Sequence, residues 1–223
     1  MCRNRPDTGG TFVTRMRVVN LALPKTGTTT LTDALRRAGL TVADWKIRPG
    51  QSNRPDIPRQ HVGKVIYEDY FASGDPLARL GEFDAINEMS AVRQDRSLWP
   101  QTDWGLLDAI AVHHPGTRFI LTTRDPARAA NSMMRWNNLG KRRLPLADIP
   151  GLPRGFGASE GELARWMAGH YAFCRRVFAG AENFMEYDIE DADAPDRIGR
   201  YLDLDLPWWG QSNVGKTTPQ EAG

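Results

Sequence analysis

A lysine, a glycine and four threonines form the continuous segment 25–30, directly after an apolar run that ends at Pro24. An ammonium group, main-chain N–H groups and hydroxyls all donate hydrogen bonds to anions, and Gly27 lets the main chain approach a ligand closely. Residues 31–39 have leucine and alanine at helical spacing, and the unpaired N–H groups of a helix start favour a phosphate-like anion. The alternative is a solvated turn whose threonines cap the helix. We predict a phosphate site built from Lys25, Thr26, Gly27, Thr28, Thr29 and Thr30.

A second anion-binding pair lies near the middle of the chain. Arg124 ends the apolar run 118–124, and Asp125 and Pro126 then suit the N-cap and first position of a helix. Ser132 follows eight positions after Arg124, which is about two helical turns along the same helix. Alone, an arginine at a strand end is usually a surface charge. Together with the first site, the pair predicts a grip on a second phosphate.

Both groups need a scaffold that brings strand ends together. Short apolar runs predict buried strands, and apolar residues at helical spacing predict helices between them. The predicted strands are 17–23, 83–87, 118–124 and 183–187. The predicted helices are 31–39, 62–72, 102–113, 127–137, 162–179 and 193–202. This alternation predicts an α/β fold, a single doubly wound domain over residues 1–223 with a mainly parallel sheet flanked by helices. Ligands of such sheets bind beyond the carboxyl ends of the strands.

Three segments lack a regular pattern. Residues 1–16 are polar, and we expect them to be frayed. Residues 46–60 are rich in proline, arginine and polar side chains, which predicts an exposed loop. Residues 139–161 contain three prolines and the basic run 141–143. Their composition predicts a long mobile loop of the kind that often forms a lid.

Composition excludes several classes of protein. The chain has 29 Lys and Arg against 27 Asp and Glu, and a formal charge of +2 is too small for bulk attraction to nucleic acid or a membrane surface. Cys2 and Cys174 have no metal-ligand spacing. No apolar run approaches the ~20 residues that span a bilayer, and no signal peptide is evident. We expect a soluble cytoplasmic protein without a membrane span, and the sequence gives no indication of its oligomeric state.

The two anion sites resemble those of a known family. Residues 23–31 (LPKTGTTTL) resemble the 5′-phosphosulfate loop of sulfotransferases that use 3′-phosphoadenosine-5′-phosphosulfate (PAPS). Residues 119–126 (FILTTRDP), followed by Ser132, resemble the 3′-phosphate motif of the same enzymes. Residues 83–88 and 208–213 are similar to segments of bacterial, P-loop-like members. The first two motifs are specific in combination.

The resemblance implies a P-loop NTPase-like fold and transfer of a sulfonyl group from PAPS to a hydroxyl or amine. Lys25 would neutralise the phosphate that leaves, while the amides of residues 27–30 hold its oxygens. Arg124 and Ser132 would bind the 3′-phosphate. No metal is required by this scheme. The animal cytosolic enzymes have a tryptophan that stacks on adenine where this chain has Thr30, so adenine must be held in another way.

An acceptor that loses a proton needs a nearby base. Glu88 is the first candidate, because it follows a predicted strand at the end that faces the phosphate loop. Its competitors are Glu68, Asp84 and His61, and a helix cap or salt bridge is an equally ordinary role for Glu88. The acceptor, a small molecule or a glycan, is expected to bind between residues 46–60 and 139–161.

Two rival functions use other motifs or none. Residues 210–217 (GQSNVGKT) match the Walker A pattern, which suggests a P-loop kinase or NTPase. Only six residues follow, too few for the helix that must hold the phosphates. Instead, Asn213 and Lys216 could fold back over the donor. The third hypothesis is a nucleotide-binding module without turnover.

Other histidines and tryptophans favour structural roles. His113 and His114 end a predicted helix, and His170 lies on the apolar stripe of residues 162–179. We interpret all three as structural. The remaining candidates for core or pocket-wall positions are Trp136, Trp166, Trp208 and Trp209.

Overall fold

The computed structural model describes residues 18–93 and 95–210, within which strands and helices alternate. The strands are β1 (Val18–Asn20), β2 (Val42–Ala43), β3 (Ala85–Ile86), β4 (Ala91–Arg93), β5 (Arg96–Leu98), β6 (Arg118–Thr123) and β7 (Phe184–Asp188). The α-helices are α1 (Thr28–Arg37), α2 (Val62–Ser73), α3 (Trp104–His113), α4 (Pro126–Arg135), α5 (Glu160–Val177) and α6 (Ala194–Leu202). A 3-10 helix (Pro100–Thr102) precedes α3, and a π-helical turn (Leu139–Arg143) follows α4.

A parallel sheet of five strands lies at the centre, in the order β2-β3-β1-β6-β7. β1 pairs with both β3 and β6, with Val18 opposite Ala85 on one side and Arg118 on the other. β4 and β5 form a separate antiparallel hairpin. The sheet confirms the prediction of an α/β fold with a parallel sheet flanked by helices.

Helices cover both faces of the sheet because side chains alternate along each strand. On one face, the apolar residues of α1 and α6, such as Leu31 and Ile198, pack on Val18. On the other, α2, α3, α4 and α5 cover Val19 and Phe119. This arrangement of two buried clusters is consistent with a doubly wound fold.

Local signals placed most elements well. The helix predicted at 62–72 is Val62–Ser73, and the strand predicted at 118–124 is Arg118–Thr123. The Asp125 side chain caps α4 by accepting a hydrogen bond from the Arg128 N–H, and Pro126 occupies the first helical position, as expected. β2 and the β4–β5 hairpin were not predicted from the sequence.

The segment 139–161 differs from the loop predicted there. It begins with the π-helical turn, and five of its apolar residues are buried in the main core: Leu139, Leu144, Ala147, Ile149 and Leu152. Apolar residues flank the prolines and the basic run, and their burial outweighs the loop-forming composition. Mobility of this segment stays a prediction. The frayed residues predicted at 1–16 and the Walker-like positions 211–217 lie outside the described residues.

A buried polar chain crosses the sheet and joins it to the start of α1. The Asn20 amide donates to the Asn87 Oδ1 over 2.6 Å, and the Asn87 amide donates to the Thr28 carbonyl and the Thr32 hydroxyl. On the other side, Asn20 Oδ1 accepts from the main-chain N–H of Thr122 at 3.3 Å. Asn87 therefore fixes the first turn of α1 against the end of β3.

We expect replacement of Asn87 by leucine to destabilise the protein strongly. The residue is fully buried, and its loss removes the acceptor of the Asn20 amide and a donor to the Thr28 carbonyl and the Thr32 hydroxyl. A buried polar group that is left without a partner costs about 1–3 kcal/mol. Urea unfolding measures the change, with Asn53→Leu at an exposed position as the matched control. Equal midpoints for the two variants would show that the polar chain contributes nothing.

Candidate functional site

A cavity of about 1340 Å³ opens beyond the carboxyl ends of the central strands. Residues from seven separate parts of the chain line it, within 24–30, 44–48, 88–93, 124–143, 189–192 and 209–210, together with His61. The volume exceeds the range of about 300–1,000 Å³ that is usual for a single small-molecule site. The cavity therefore has room for two ligands side by side.

The turn that leads from β1 to α1 has an unusual backbone. Lys25 adopts φ 72° and Gly27 adopts φ 100°, both in the left-handed region that favours glycine. A Cβ at position 27 would also collide with the Ile189 side chain. Gly27 is thus required both by its backbone angle and by the close approach of Ile189. The result is a tight turn whose residues, with the N-terminus of α1, face the cavity.

The hydroxyls of Thr26, Thr28 and Thr30 form hydrogen bonds within the protein. Thr26 is fully buried and donates to the Leu23 carbonyl at 2.8 Å, so its hydroxyl supports the turn instead of lining the cavity. The Thr28 hydroxyl donates to Glu88 Oε2 at 3.1 Å, and the Thr30 hydroxyl donates to the Gly210 carbonyl at 2.9 Å. Thr28, Thr29 and Thr30 line the cavity. Main-chain N–H groups are therefore the stronger candidates for anion donors at this helix start.

The Lys25 ammonium lies inside the cavity, 3.6 Å from the centroid of the Trp136 ring. Its pKa is lowered, mainly because burial disfavours the charged form and secondly because Arg124 adds a like charge. Glu88 acts in the opposite direction. The two cations that the sequence placed in separate motifs thus act on each other across one cavity. An anion bound between them would relieve this repulsion.

Arg124, Arg128 and Ser132 line the same cavity. The Arg124 Nε lies 3.1 Å from Glu190 Oε1, and Arg128 forms an ion pair with the other oxygen of Glu190. The sequence reasoning missed Arg128 and Glu190. The position of Arg128 one helical turn after Arg124 was the available signal for the first, whereas the contact of Glu190 depends on β7 lying beside β6. The Glu190 carboxylate binds both guanidinium groups, and a phosphate group could take its place there.

Glu88 forms contacts with the start of α1 and with Ser90, which directly precedes β4. Besides the Thr28 hydroxyl, its carboxylate accepts a hydrogen bond from the Ser90 hydroxyl at 2.5 Å. Burial raises the pKa of Glu88 to about 7, and Asp44 adds to the shift, while the hydrogen bonds and Lys25 oppose it. A carboxyl group that titrates near neutral pH beside a cation is suited to accept a proton.

The competitors of Glu88 lie in different surroundings. Asp84 Oδ2 accepts from the Thr41 N–H at 2.7 Å, near the start of β3, and Glu68 forms ion pairs with Lys64 and Arg79. Neither lines the cavity. His61 does line it, and burial lowers its pKa. Of the four candidates, the structure brings Glu88 and His61 to the cavity.

The other histidines and tryptophans divide as follows. His170 is buried in α5, and its Nε2 lies 2.7 Å from the Leu21 carbonyl, which confirms the prediction of a satisfied core residue. The Trp166 ring is in the core, edge-on to Trp99 at 5.4 Å. Trp136 and Trp209 line the cavity. The Trp208 ring lies under the Arg37 guanidinium, 4.6 Å away.

The described residues contain neither a group of metal ligands nor a helix that could span a membrane. Within residues 18–93 and 95–210, no group of three or more His, Cys, Asp or Glu side chains is arranged to hold a metal ion. No helix in that part of the chain is both long and apolar enough to cross a membrane. Comparison of the sequence with known proteins identified no matching family model and no significantly similar curated protein.

Proposed function

We propose that this protein is a PAPS-dependent sulfotransferase of the P-loop-like type. The observation that carries the proposal is the shared cavity, which is lined both by Lys25 and the start of α1 and by Arg124, Arg128 and Ser132. A donor with phosphates on both its 5′ and 3′ positions matches two separate cationic groups. The sheet order and the turn between β1 and α1 support the P-loop-like assignment.

In this proposal, the acceptor oxygen or nitrogen attacks the sulfur of PAPS while the bond from sulfur to the 5′-phosphate oxygen breaks. The leaving phosphate gains negative charge, which Lys25 and the N–H groups at the start of α1 stabilise. The acceptor proton passes to the Glu88 carboxylate. The products are the sulfated acceptor and adenosine 3′,5′-bisphosphate, whose 3′-phosphate takes the place of Glu190 between the two arginines.

Two other hypotheses predict different ligand responses. A P-loop kinase or NTPase would respond to ATP with magnesium, and a nucleotide-binding module would bind the bisphosphate without consuming PAPS. The Walker-like segment on which the first depends lies largely beyond the described residues.

We expect adenosine 3′,5′-bisphosphate to stabilise the protein in a thermal-shift experiment. At ~100 times its dissociation constant, a ligand adds about 2.7 kcal/mol of stability, which corresponds to roughly 5–10 °C for a chain of this size. Adenosine 5′-phosphate should produce a smaller shift, because it lacks the 3′-phosphate that Arg124 and Arg128 would bind.

The matched variants are Arg124→Ala and Arg135→Ala, since Arg135 is exposed on α4 and does not line the cavity. The first should reduce the shift by the bisphosphate and leave that by adenosine 5′-phosphate unchanged, and the second should change neither. A larger shift with ATP and magnesium than with the bisphosphate would reject the donor assignment. Turnover of PAPS across an acceptor panel separates an enzyme from a binding module.

A further inference from the structure

Three further arginines line the cavity, and we call the part that they line the arginine region: Arg48, Arg93 on β4, and Arg143 at the end of the π-helical turn. Asp44 also lines the cavity, and its charge interacts with that of Arg48. The arginine region therefore has an excess of positive charge. We call the part of the cavity that the two predicted anion-binding motifs line the nucleotide end.

Arg143 is the most enclosed of the three arginines. It is half-buried, and its Nη1 donates to the Val92 carbonyl at 3.4 Å. Its Nε is buried and has no hydrogen-bond partner among the described residues. Burial and the like charge of Arg93 both lower the pKa of Arg143. A buried donor and two neighbouring guanidinium groups together favour a site for an acceptor atom with negative charge.

The acids nearby do not neutralise these arginines. Among residues 18–93 and 95–210, no carboxylate lies within ion-pair distance of Arg48, Arg93 or Arg143. Burial raises the pKa of Asp44, whereas the charges of Arg36 and Arg48 lower it. In contrast, Arg124 and Arg128 at the nucleotide end share Glu190. Within the described part of the chain, the arginine region thus has three arginines, one carboxylate and no ion pair to any of the three arginines.

An aromatic surface borders the arginines. Trp45 is 38% exposed, its ring centroid lies 5.5 Å from that of His61, and the Arg93 guanidinium lies 5.9 Å from the Trp45 centroid. The Nδ1 of His61 is buried without a hydrogen-bond partner among the described residues. An aromatic or sugar ring of a ligand can pack on the exposed face of Trp45, while the polar substituents of that ring contact neighbouring polar groups.

We infer that the acceptor is a small hydroxylated molecule with an anionic group of its own, which Arg93 and Arg143 hold while the reacting hydroxyl faces Glu88. The inference rests on the proposed function only for the identity of this ligand as the acceptor. Carboxylate, phosphate and sulfate groups share the planar or forked oxygens that guanidinium groups bind. A neutral acceptor would give the guanidinium groups of Arg93 and Arg143 no counterion, so the site should discriminate against it.

The test measures binding of matched probes to the full chain saturated with adenosine 3′,5′-bisphosphate, so that the nucleotide end is already filled. The aryl probes are 4-hydroxybenzoate, its methyl ester and 4-hydroxyphenyl phosphate, and the sugar pair is glucuronate and glucose. Calorimetry should show at least tenfold tighter binding for the charged member of at least one set. The phosphate arm shows which anionic group is preferred.

Three methionine variants assign the effect to residues. Arg143→Met and Arg93→Met keep the apolar stem and should each weaken the charged probe about tenfold, with the neutral probe unchanged. Arg142→Met is the control, because Arg142 is exposed on the same π-helical turn and does not line the cavity. Circular dichroism of each variant verifies the fold, and Arg93→Met, at an exposed position, decides the result if Arg143→Met does not fold.

The outcomes separate this inference from the proposed function. Equal affinity for charged and neutral members, no binding of any probe, or no effect of the arginine variants would overturn the inference. If the bisphosphate itself fails to bind, the same probes are titrated without it. Preference for the charged probes would then support the arginine region as an anion site while the sulfotransferase proposal is rejected.

Discussion

Replacement of Lys25 by methionine is expected to lower the rate of sulfonyl transfer about a thousandfold. The ammonium lies in the cavity at the start of α1, where it can meet the charge that develops on the leaving phosphate. Loss of one preorganised donor to such a charge typically costs about 10²–10³ in rate. Single-turnover kinetics with saturating PAPS measures the chemical step directly.

The control for Lys25 is Lys141→Met, a basic residue on the π-helical turn that is exposed and does not line the cavity. It should retain the rate of the unaltered protein. Binding of adenosine 3′,5′-bisphosphate should persist in both variants, because the N–H groups of α1, Arg124 and Arg128 are all intact. A Lys25→Met variant that transfers at the normal rate would contradict the leaving-group role.

Replacement of Glu88 by glutamine is expected to lower transfer about 10²–10⁴-fold, the usual contribution of a general base. In the unaltered protein, the transfer rate should rise with pH and reach half its plateau near the Glu88 pKa of about 7, because the carboxylate must be ionised to accept a proton. The glutamine variant should lose this rise. Glu68→Gln, on the exposed side of α2, should keep both rate and profile.

Stability against pH gives a second readout for Glu88. Its pKa in the folded protein is raised from 4.5 to about 7, so the stability that this group contributes is present below pH 4.5 and lost as pH rises through 7. Glu88→Gln never ionises and should lose less stability over that interval. If the base were His61, whose pKa is lowered below 6.5, the rate profile would have its midpoint at lower pH and survive the Glu88 substitution.

Local chemistry in the sequence was sufficient for the elements that carry the site. A proline after a short apolar run, a glycine before a helix, and the Asp125–Pro126 pair are signals within a few residues, and they placed β1, α1, β6 and α4 nearly correctly. The carboxyl ends of parallel strands meet at one edge, so the convergence of Lys25 and Arg124 on one cavity could also be anticipated.

Contacts between distant segments were not accessible in this way. The hydrogen bond from Asn20 to Asn87 spans 67 positions, and the ion pair of Arg124 with Glu190 spans 66. Neither pair has a local pattern, because each depends on the order of strands in the sheet. The threonines also misled, because their composition suggested free donors. The Thr26 hydroxyl instead donates to the Leu23 carbonyl three positions earlier, and the Thr30 hydroxyl donates to the distant Gly210 carbonyl.

The absence of a side chain at Gly27 determines how closely two walls of the cavity approach each other. Ile189 fills the space where a Cβ would lie, and it directly precedes Glu190. The loop after β7 therefore packs directly against the turn after β1. Any side chain at position 27 would push that loop away from the turn and so move Glu190 relative to Lys25.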